Sequence, residues 1–362
     1  MTAMSSTSLQ SAAPSKVPVH SRARRVLSVG SYNLFAWLLL LVYLLPVVYM
    51  LDTAFKSTDQ LSDKKAPWYP SRIKTYVYQG HVFQLYQVPS DQGLRTLALV
   101  EPGIGASQFI DPLDPAARLI EWKGDYLKLK PVYELSLVWS NFTKLFTTLP
   151  FFRMVGSTML LVLIGGFGVL LSSILIAYGF SRFRLPGGDL LFYVVIATIL
   201  IPEKVTFIPT FFFYAKVLNW HGTIYPLVVY LFFGSPVYIF LLRQQFRSLS
   251  IEPEEAAMLD GAGTLRRLFS IVLPQAWPAI VTVALLQFFH TWNETRLASL
   301  YLGANSTFMP ISFGIQNFQS ILPIENVIEA GSVVVMAIPV LVLILSQRLF
   351  VRSMVITGME KR

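Results

Sequence analysis

Pro253-Glu254-Glu255-Ala256-Ala257-Met258-Leu259-Asp260-Gly261-Ala262-Gly263 separates two long apolar segments and decides the reading of the chain. It is too polar to cross a bilayer and too well punctuated to be a slack loop. Pro253 suits the first turn of a helix, and Glu254 and Glu255 put negative charge at the positive end of the helix dipole. Asp260-Gly261 predicts the stop, because glycine enters the left-handed conformation that a C-terminal cap needs. Leu265, Leu268, Phe269 and Val272 follow at i, i+3, i+4, i+7 spacing, which predicts a second helix, and Pro274 marks entry into the next apolar segment. The expected product is a short helix–turn–helix held rigidly at a membrane surface, a shape suited to docking a partner.

Outward from this stretch, the chain reads as membrane. Of its 362 residues, 54% are hydrophobic and 14% charged, and the mean hydropathy of +0.56 is too high for a soluble domain. Apolar runs at 34–51, 154–180, 190–217, 224–242, 276–302 and 333–350 approach or exceed the roughly 20 residues needed to span a bilayer. The fold class expected is an all-α polytopic membrane protein with six transmembrane helices: the first over 31–55, the other five in a core over 141–362. Residues 1–30 read as a disordered tail, rich in Ser, Ala, Pro and Thr. No small-residue cleavage site follows Leu51-Asp52-Thr53, so the first helix is expected to stay uncleaved. Arg22, Arg24 and Arg25, then Arg182 and Arg184, Arg243 and Arg247, and Arg348 and Arg352 fall on one side of this scheme. The positive-inside rule then places both termini and the Glu255 loop, about 243–275, in the cytoplasm of a multi-pass cell-membrane protein.

Residues 56–140 would lie outside. Tyr76, Tyr78 and Val82 to Val88 alternate around a Gln79-Gly80 turn, Leu94 to Val100 is a further strand candidate, and Ala117 to Leu129 could supply two more. Pro102, Gly103, Gly105, Pro112 and Pro115 punctuate the stretch. A small β-rich extracytoplasmic insert is expected.

Other classes are excluded by composition. There is no cysteine, hence no disulfide or thiolate site, and His20, His81, His221 and His290 lack ligand spacing, so no metal site is expected. The net charge of +9 fits basic cytoplasmic flanks, and no nucleic-acid motif accompanies it. Gly165, Gly166 and Gly168 suit close helix packing; no Gly-Lys-Ser/Thr follows them, so nucleotide binding is not expected there. No catalytic residues stand out.

Several of these segments resemble one family. Glu255-Ala256-Ala257, Asp260-Gly261-Ala262 and Ile271-x-Leu273-Pro274 resemble the EAA loop of ABC importer permeases. Ile201-Pro202, Ile208-Pro209 and Trp292-Asn293-Glu294, with Ala330-Gly331-Ser332, Ile338-Pro339-Val340, Gln347-Arg348 and Phe350-Val351-Arg352 near the end, are similar to the maltose-type, MalG-like carbohydrate permeases among binding-protein-dependent inner membrane components. The likeness covers about 32–56 and 139–362, and departs at the insert and at Gly358-Met359-Glu360-Lys361-Arg362. It implies a MetI-like six-helix fold and a coupling helix in a cleft of an ATPase, carried by Glu255, Ala256, Ala257, Asp260, Gly261, Ala262 and Leu268. It also implies a second permease subunit, two ATP-binding subunits that bind and hydrolyse the ATP, an external solute-binding protein and a sugar substrate. Met309-Pro310 to Ile324 would face the binding protein.

Two polar groups interrupt the apolar runs. Glu203 and Lys204 follow Pro202, and either line a translocation path or sit solvated near the outer mouth. Asn293 and Glu294 either line the path or bond within the bundle. An ion-coupled secondary transporter using Glu203, Lys204 and Glu294 is the alternative reading, and a membrane-embedded acid/base enzyme a third; neither accounts for the rigid Glu255 loop.

Overall fold

The computed structural model describes residues 19–90, 93–114, 118–303, 307–321 and 324–359. Of the disordered tail expected over 1–30, residues 1–18 lie outside these, whereas 19–30 are helical; of the departure at 358–362, residues 360–362 lie outside. The chain forms two compact units, Met1–Met50 and Leu51–Arg362. The first contributes most of helix α1 (Val19–Ala54), which carries Pro46 inside it.

In the second unit, α2 (Thr58–Ser62) leads into eight strands: β1 (Ser71–Ile73), β2 (Thr75–Tyr78), β3 (His81–Ser90), β4 (Gly93–Glu101), β5 (Ala106–Ile110), β6 (Ile120–Lys123), β7 (Lys130–Pro131) and β8 (Tyr133–Leu135). β2-β3-β4-β5-β6 pair in sequence order, β7 joins β3, and β1 pairs with β8. All pairings are antiparallel. Gln79 and Gly80 both take positive φ, 50° and 82°, which lets a two-residue turn follow the strand twist. The period of two sends Tyr86, Val88, Leu97 and Phe109 to one cluster and Leu85, Ala98 and Ile110 to another, so both faces of the sheet are covered. Leu127, expected in a last strand, lies instead in a short 3-10 turn, Tyr126–Lys128, capped by the Asp125 carboxylate. Tyr133 donates its hydroxyl to Asp63, which holds the Asp63 carboxyl below its usual range; burial first, then this bond, raises the Tyr133 phenol.

The helical remainder comprises α3 (Ser140–Thr148), α4 (Phe151–Arg182), α5 (Gly188–Ala197), α6 (Glu203–Phe212), α7 (Tyr225–Val228), α8 (Pro236–Ser248), α9 (Glu252–Leu259), α10 (Thr264–Arg267), α11 (Leu273–Gln275), α12 (Trp277–Trp292), α13 (Arg296–Tyr301), α14 (Ile311–Ile321) and α15 (Glu325–Met359). Among the described residues, four stretches are long and apolar enough to cross a membrane: Gly30–Ala54, Phe151–Arg182, Tyr225–Ser248 and Glu325–Gln347. Two more are bent pairs, Gly188–Leu200 with Lys204–Val217 at 95° and Thr264–Gln275 with Trp277–Trp292 at 84°. The six expected spans are reached only by counting each bent pair as one. The first bend has a local cause: Ile201 precedes Pro202, is pushed to an extended ψ of 116°, and ends its helix. The second bend falls at Ala276, not at Pro274, which lies inside α11. The fifth run, expected through residue 302, stops at Trp292.

The glycines of α4 are read by their neighbours. A Cβ on Gly165 would meet Leu231 at 2.3 Å, and one on Gly168 the Phe232 ring at 2.9 Å, so α4 and the 3-10 turn Val229–Phe233 touch across them. Gly166 faces open space. A buried asparagine pair ties distant segments together. Asn141 on α3 donates to the carbonyls of Ala54 and Lys56, both at 2.8 Å, while Asn326 on α15 donates to Lys56 O at 3.0 Å and to Asn141 Oδ1 at 3.1 Å.

Candidate functional site

The Pro253 stretch forms α9, then a turn, then α10 continued by a π-type turn, Leu268–Val272. Its end is a Schellman cap. Gly261 takes φ +80°, Gly261 N–H donates to Met258 O at 3.1 Å, and Ala262 N–H to Ala257 O at 2.8 Å. Nothing lies within 4 Å of where a Gly261 Cβ would sit, so a side chain there meets only backbone strain. Gly261→Val is expected to lose about 1–3 kcal/mol of local stability and to speed tryptic cleavage after Arg266 and Arg267, whereas Gly261→Asn, tolerant of left-handed φ, stays near wild type. Equal cleavage of the two variants would dismiss the strain argument.

The two adjacent glutamates part company. Glu254 is only 3% exposed. Its carboxylate accepts from Tyr178 OH at 3.0 Å and from Arg182 Nε at 2.6 Å, both at the end of α4. Arg182 also donates to Leu249 O at 3.3 Å. Glu255 is exposed. Consecutive helix positions lie about 100° apart, so one faces the bundle and the other solvent. Sequence reasoning singled out Glu255 and missed that Glu254, Arg182 and Tyr178 are the anchor; the doubled glutamate is the signal, but it does not tell which of the two turns inward. Arg243, used above as a cytoplasmic flank, is also buried, over the Phe192 ring at 3.8 Å and donating to Phe180 O at 3.3 Å.

The second helix divides in the same way. Leu268 and Val272 are sealed in the core with Tyr178, Phe246 and Ala276, whereas Leu265 and Phe269 are exposed. The four apolar positions expected on one face are two i, i+4 stripes, one packed and one bare. Leu268, expected to contact a partner, therefore holds the loop from inside. Met258, Leu259 (88% exposed), Leu265 and Phe269 are the bare apolar groups of this surface, beside exposed Glu255, Ala256 and Asp260; Ala257 and Ala262 are half-buried.

The other polar candidates are not assembled. Lys204 is exposed, and the side chain of Glu203 lies outside the described residues. Asn293 Nδ2 donates to Phe289 O at 2.8 Å, and Glu294 Oε1 accepts from Leu297 N–H at 2.7 Å, starting α13. Among the described residues no ion pair joins Lys204 to Glu294. Two cavities open between the helices among the described residues, and neither is lined by Lys204, Asn293 or Glu294. The larger, about 470 Å³, lies where α4, α8 and α12 converge and is lined in part by Tyr230, Gly234, Ser235, Tyr238, Gln287 and His290. The smaller, about 220 Å³, has Thr206, Thr210, Tyr214, Tyr230, Arg296 and Tyr301 in its wall. No group of His, Asp and Glu able to hold a metal ion occurs among the described residues.

The model of the protein family described as "Binding-protein-dependent transport system inner membrane component" matches residues 134–355. The chain belongs to that family. It is similar to the osmoprotective compounds uptake permease protein GgtD of Synechocystis sp., 32% identical over 179 residues, 49% of this chain and 60% of that protein. The sn-glycerol-3-phosphate transport system permease protein UgpE of Yersinia pestis is 31% identical over 194 residues, 52% of this chain and 67% of that protein. This inner membrane component thus spans under two thirds of the cyanobacterial relative. A solved chain from a bacterial ABC transporter involved in the import of the acidic polysaccharide alginate shares the fold, with a TM-score of 0.61 at 18% identity over 90% of this chain and 97% of that one. The matched region takes in α9, the cap and the packed stripe of Leu268.

Proposed function

We propose that this chain is one of two permease subunits of an ATP-driven ABC importer, translocating a sugar or oligosaccharide delivered by a solute-binding protein. Two ATP-binding subunits bind and hydrolyse the ATP; this chain performs no catalysis. The observation that carries the reading is the two-sided α9–α10 loop. Its inner side is bonded to α4 through Glu254 and packed by Leu268, and its outer side offers Glu255 amid Met258, Leu259, Leu265 and Phe269. A bare apolar stripe on a rigid mount suits a partner cleft. Closure of the ATPases pushes this loop, the ion pair passes the displacement to α4, and the bundle moves between inward- and outward-facing states.

Both termini and the loop are cytoplasmic in this reading, by the arginine distribution. The strand-bearing segment over 56–140 is extracytoplasmic and meets the binding protein or steadies the outer mouth. Among the expected coupling residues, Glu255, Ala256 and Asp260 face the ATPase, Ala257, Gly261 and Ala262 shape the cap, and Leu268 anchors it. The test is co-purification from native membranes, with mass spectrometry of what accompanies the tagged chain. The wild type is expected to bring down an ATPase, a second permease and a binding protein. Glu255→Arg is expected to recover at least roughly tenfold less ATPase, because a reversed charge opposes the basic group it would face. Absence of an ATPase from both preparations under mild extraction would defeat the reading.

A further inference from the structure

The larger cavity sits at a break in a membrane span. Gly234 takes φ +79°, the 3-10 turn Val229–Phe233 ends there, and α8 restarts at Pro236. Ser235 N–H, released by the break, donates to Ser173 Oγ of α4 at 3.1 Å. Non-helical backbone at membrane depth is tolerated where it is buried in protein or lines a water-filled cavity, and broken helices are where transporters bind their solutes. Across the gap stands Gln287 of α12, only 3% exposed, its amide fixed by a 2.8 Å bond to Thr291 Oγ1. A buried amide within a span is costly and calls for a polar purpose.

The chemistry of the wall limits what can enter. Tyr230, Ser235, Tyr238, Gln287 and His290 supply hydroxyl, amide and imidazole groups, while Val169, Leu231 and Leu286 supply apolar faces. Among the described residues no Lys, Arg, Asp or Glu lines it. A phosphate, carboxylate or ammonium group would lose its hydration there with no fixed countercharge beyond the His290 imidazole, which is expensive; a ring bearing hydroxyls on apolar faces would not. The volume of about 470 Å³ admits a small ligand. Tyr230 also belongs to the smaller cavity, beyond the bend at Pro202, so both broken spans meet at one side chain.

We infer that the Gly234 cavity is a subsite of the translocation path built for an uncharged polyhydroxy solute, a neutral saccharide or polyol. This rests on the importer reading and narrows it: the solute is not an acidic saccharide or a sugar phosphate.

The chain contains no cysteine, so single-cysteine variants carry no background from this chain, whose own labelling is read after it is separated from its partners. Ser235→Cys and Gln287→Cys, with Leu163→Cys on the exposed outer face of α4 as a control, would be introduced into the tagged chain and the whole complex isolated in its native membranes. Three methanethiosulfonates are the probes: neutral hydroxyethyl, anionic sulfonatoethyl and cationic trimethylammonium-ethyl, each rate divided by that with free 2-mercaptoethanol. Both cavity thiols are expected to react about tenfold faster with the neutral reagent than with either charged one, because the uncompensated wall disfavours charge of either sign. ATP with vanadate is expected to change those rates, and Leu163→Cys to resist all three. Resistance of both cavity thiols in both states would overturn the subsite. Faster reaction with the anionic or cationic reagent would overturn the solute class. Entry of the neutral reagent with no response to ATP and vanadate, in a preparation without ATPase activity, would uphold a solute cavity and defeat the importer reading instead.

Discussion

Glu254→Ala is expected to destabilise the helical unit by about 4 kcal/mol, because it leaves the Arg182 guanidinium buried without its countercharge. The pair is well enclosed: the Arg182 and Glu254 side chains are 11% and 4% exposed, and their 2.6 Å contact is backed by Tyr178 OH. The loss should appear as a lower unfolding midpoint in detergent, with faster tryptic cleavage after Arg266 and Arg267 as the loop leaves α4. Replacing both partners, Glu254→Met with Arg182→Met, should recover most of the stability, since a buried ion pair contributes little beyond well-packed apolar groups of similar size. The recovered chain would then separate two roles. If it docks an ATPase but no longer couples hydrolysis to transport, the ion pair transmits movement; if coupling is normal, the pair only holds the loop. An unchanged midpoint in Glu254→Ala would show that the glutamate is not buried as described.

Asn141→Leu is expected to cost about 3 kcal/mol, from the Ala54 carbonyl left without this donor and the buried Asn326 amide left without its acceptor. Asn141 is 1% exposed and Asn326 2%, and between them they bond to Ala54 O and Lys56 O and to each other. Leucine fills a similar volume and offers no N–H. Asn141→Asp should be worse, since a carboxylate would face two carbonyl oxygens. The effect should localise: amide exchange at Phe55 and Lys56, whose N–H groups bond to Asp52 O and Thr53 O, should accelerate before exchange within α4. Uniform acceleration would indicate global unfolding and remove the argument for a local tie between the end of α1, α3 and α15.

Much of this protein is legible along the chain because its signals are local. Apolar runs of spanning length, the Gln79-Gly80 turn and the Asp260-Gly261 stop each follow from a few neighbouring residues and the backbone they permit. The EAA-type spacing is a local pattern too, which is why family membership could be expected before any fold was seen. Errors came where local signals tie. Leu265, Leu268, Phe269 and Val272 satisfy one helical period, yet two of them are core and two are bare. Asn293 and Glu294, left open between path and bundle by the sequence, bond to nearby backbone where the helix ends, a local arrangement that the apolar run did not reveal.

The sequence alone determined the class of the chain and the existence of a rigid polar helix pair, since these depend on hydropathy and backbone freedom over a few residues. The tertiary structure alone decided which of Glu254 and Glu255 is the anchor, that Asn141 and Asn326 meet across 185 positions of chain, and that a polar cavity opens beside Gly234 and Gln287. Those outcomes depend on which helix faces come together. Burial is a property of pairs of surfaces distant in sequence, and no residue's own neighbours encode it.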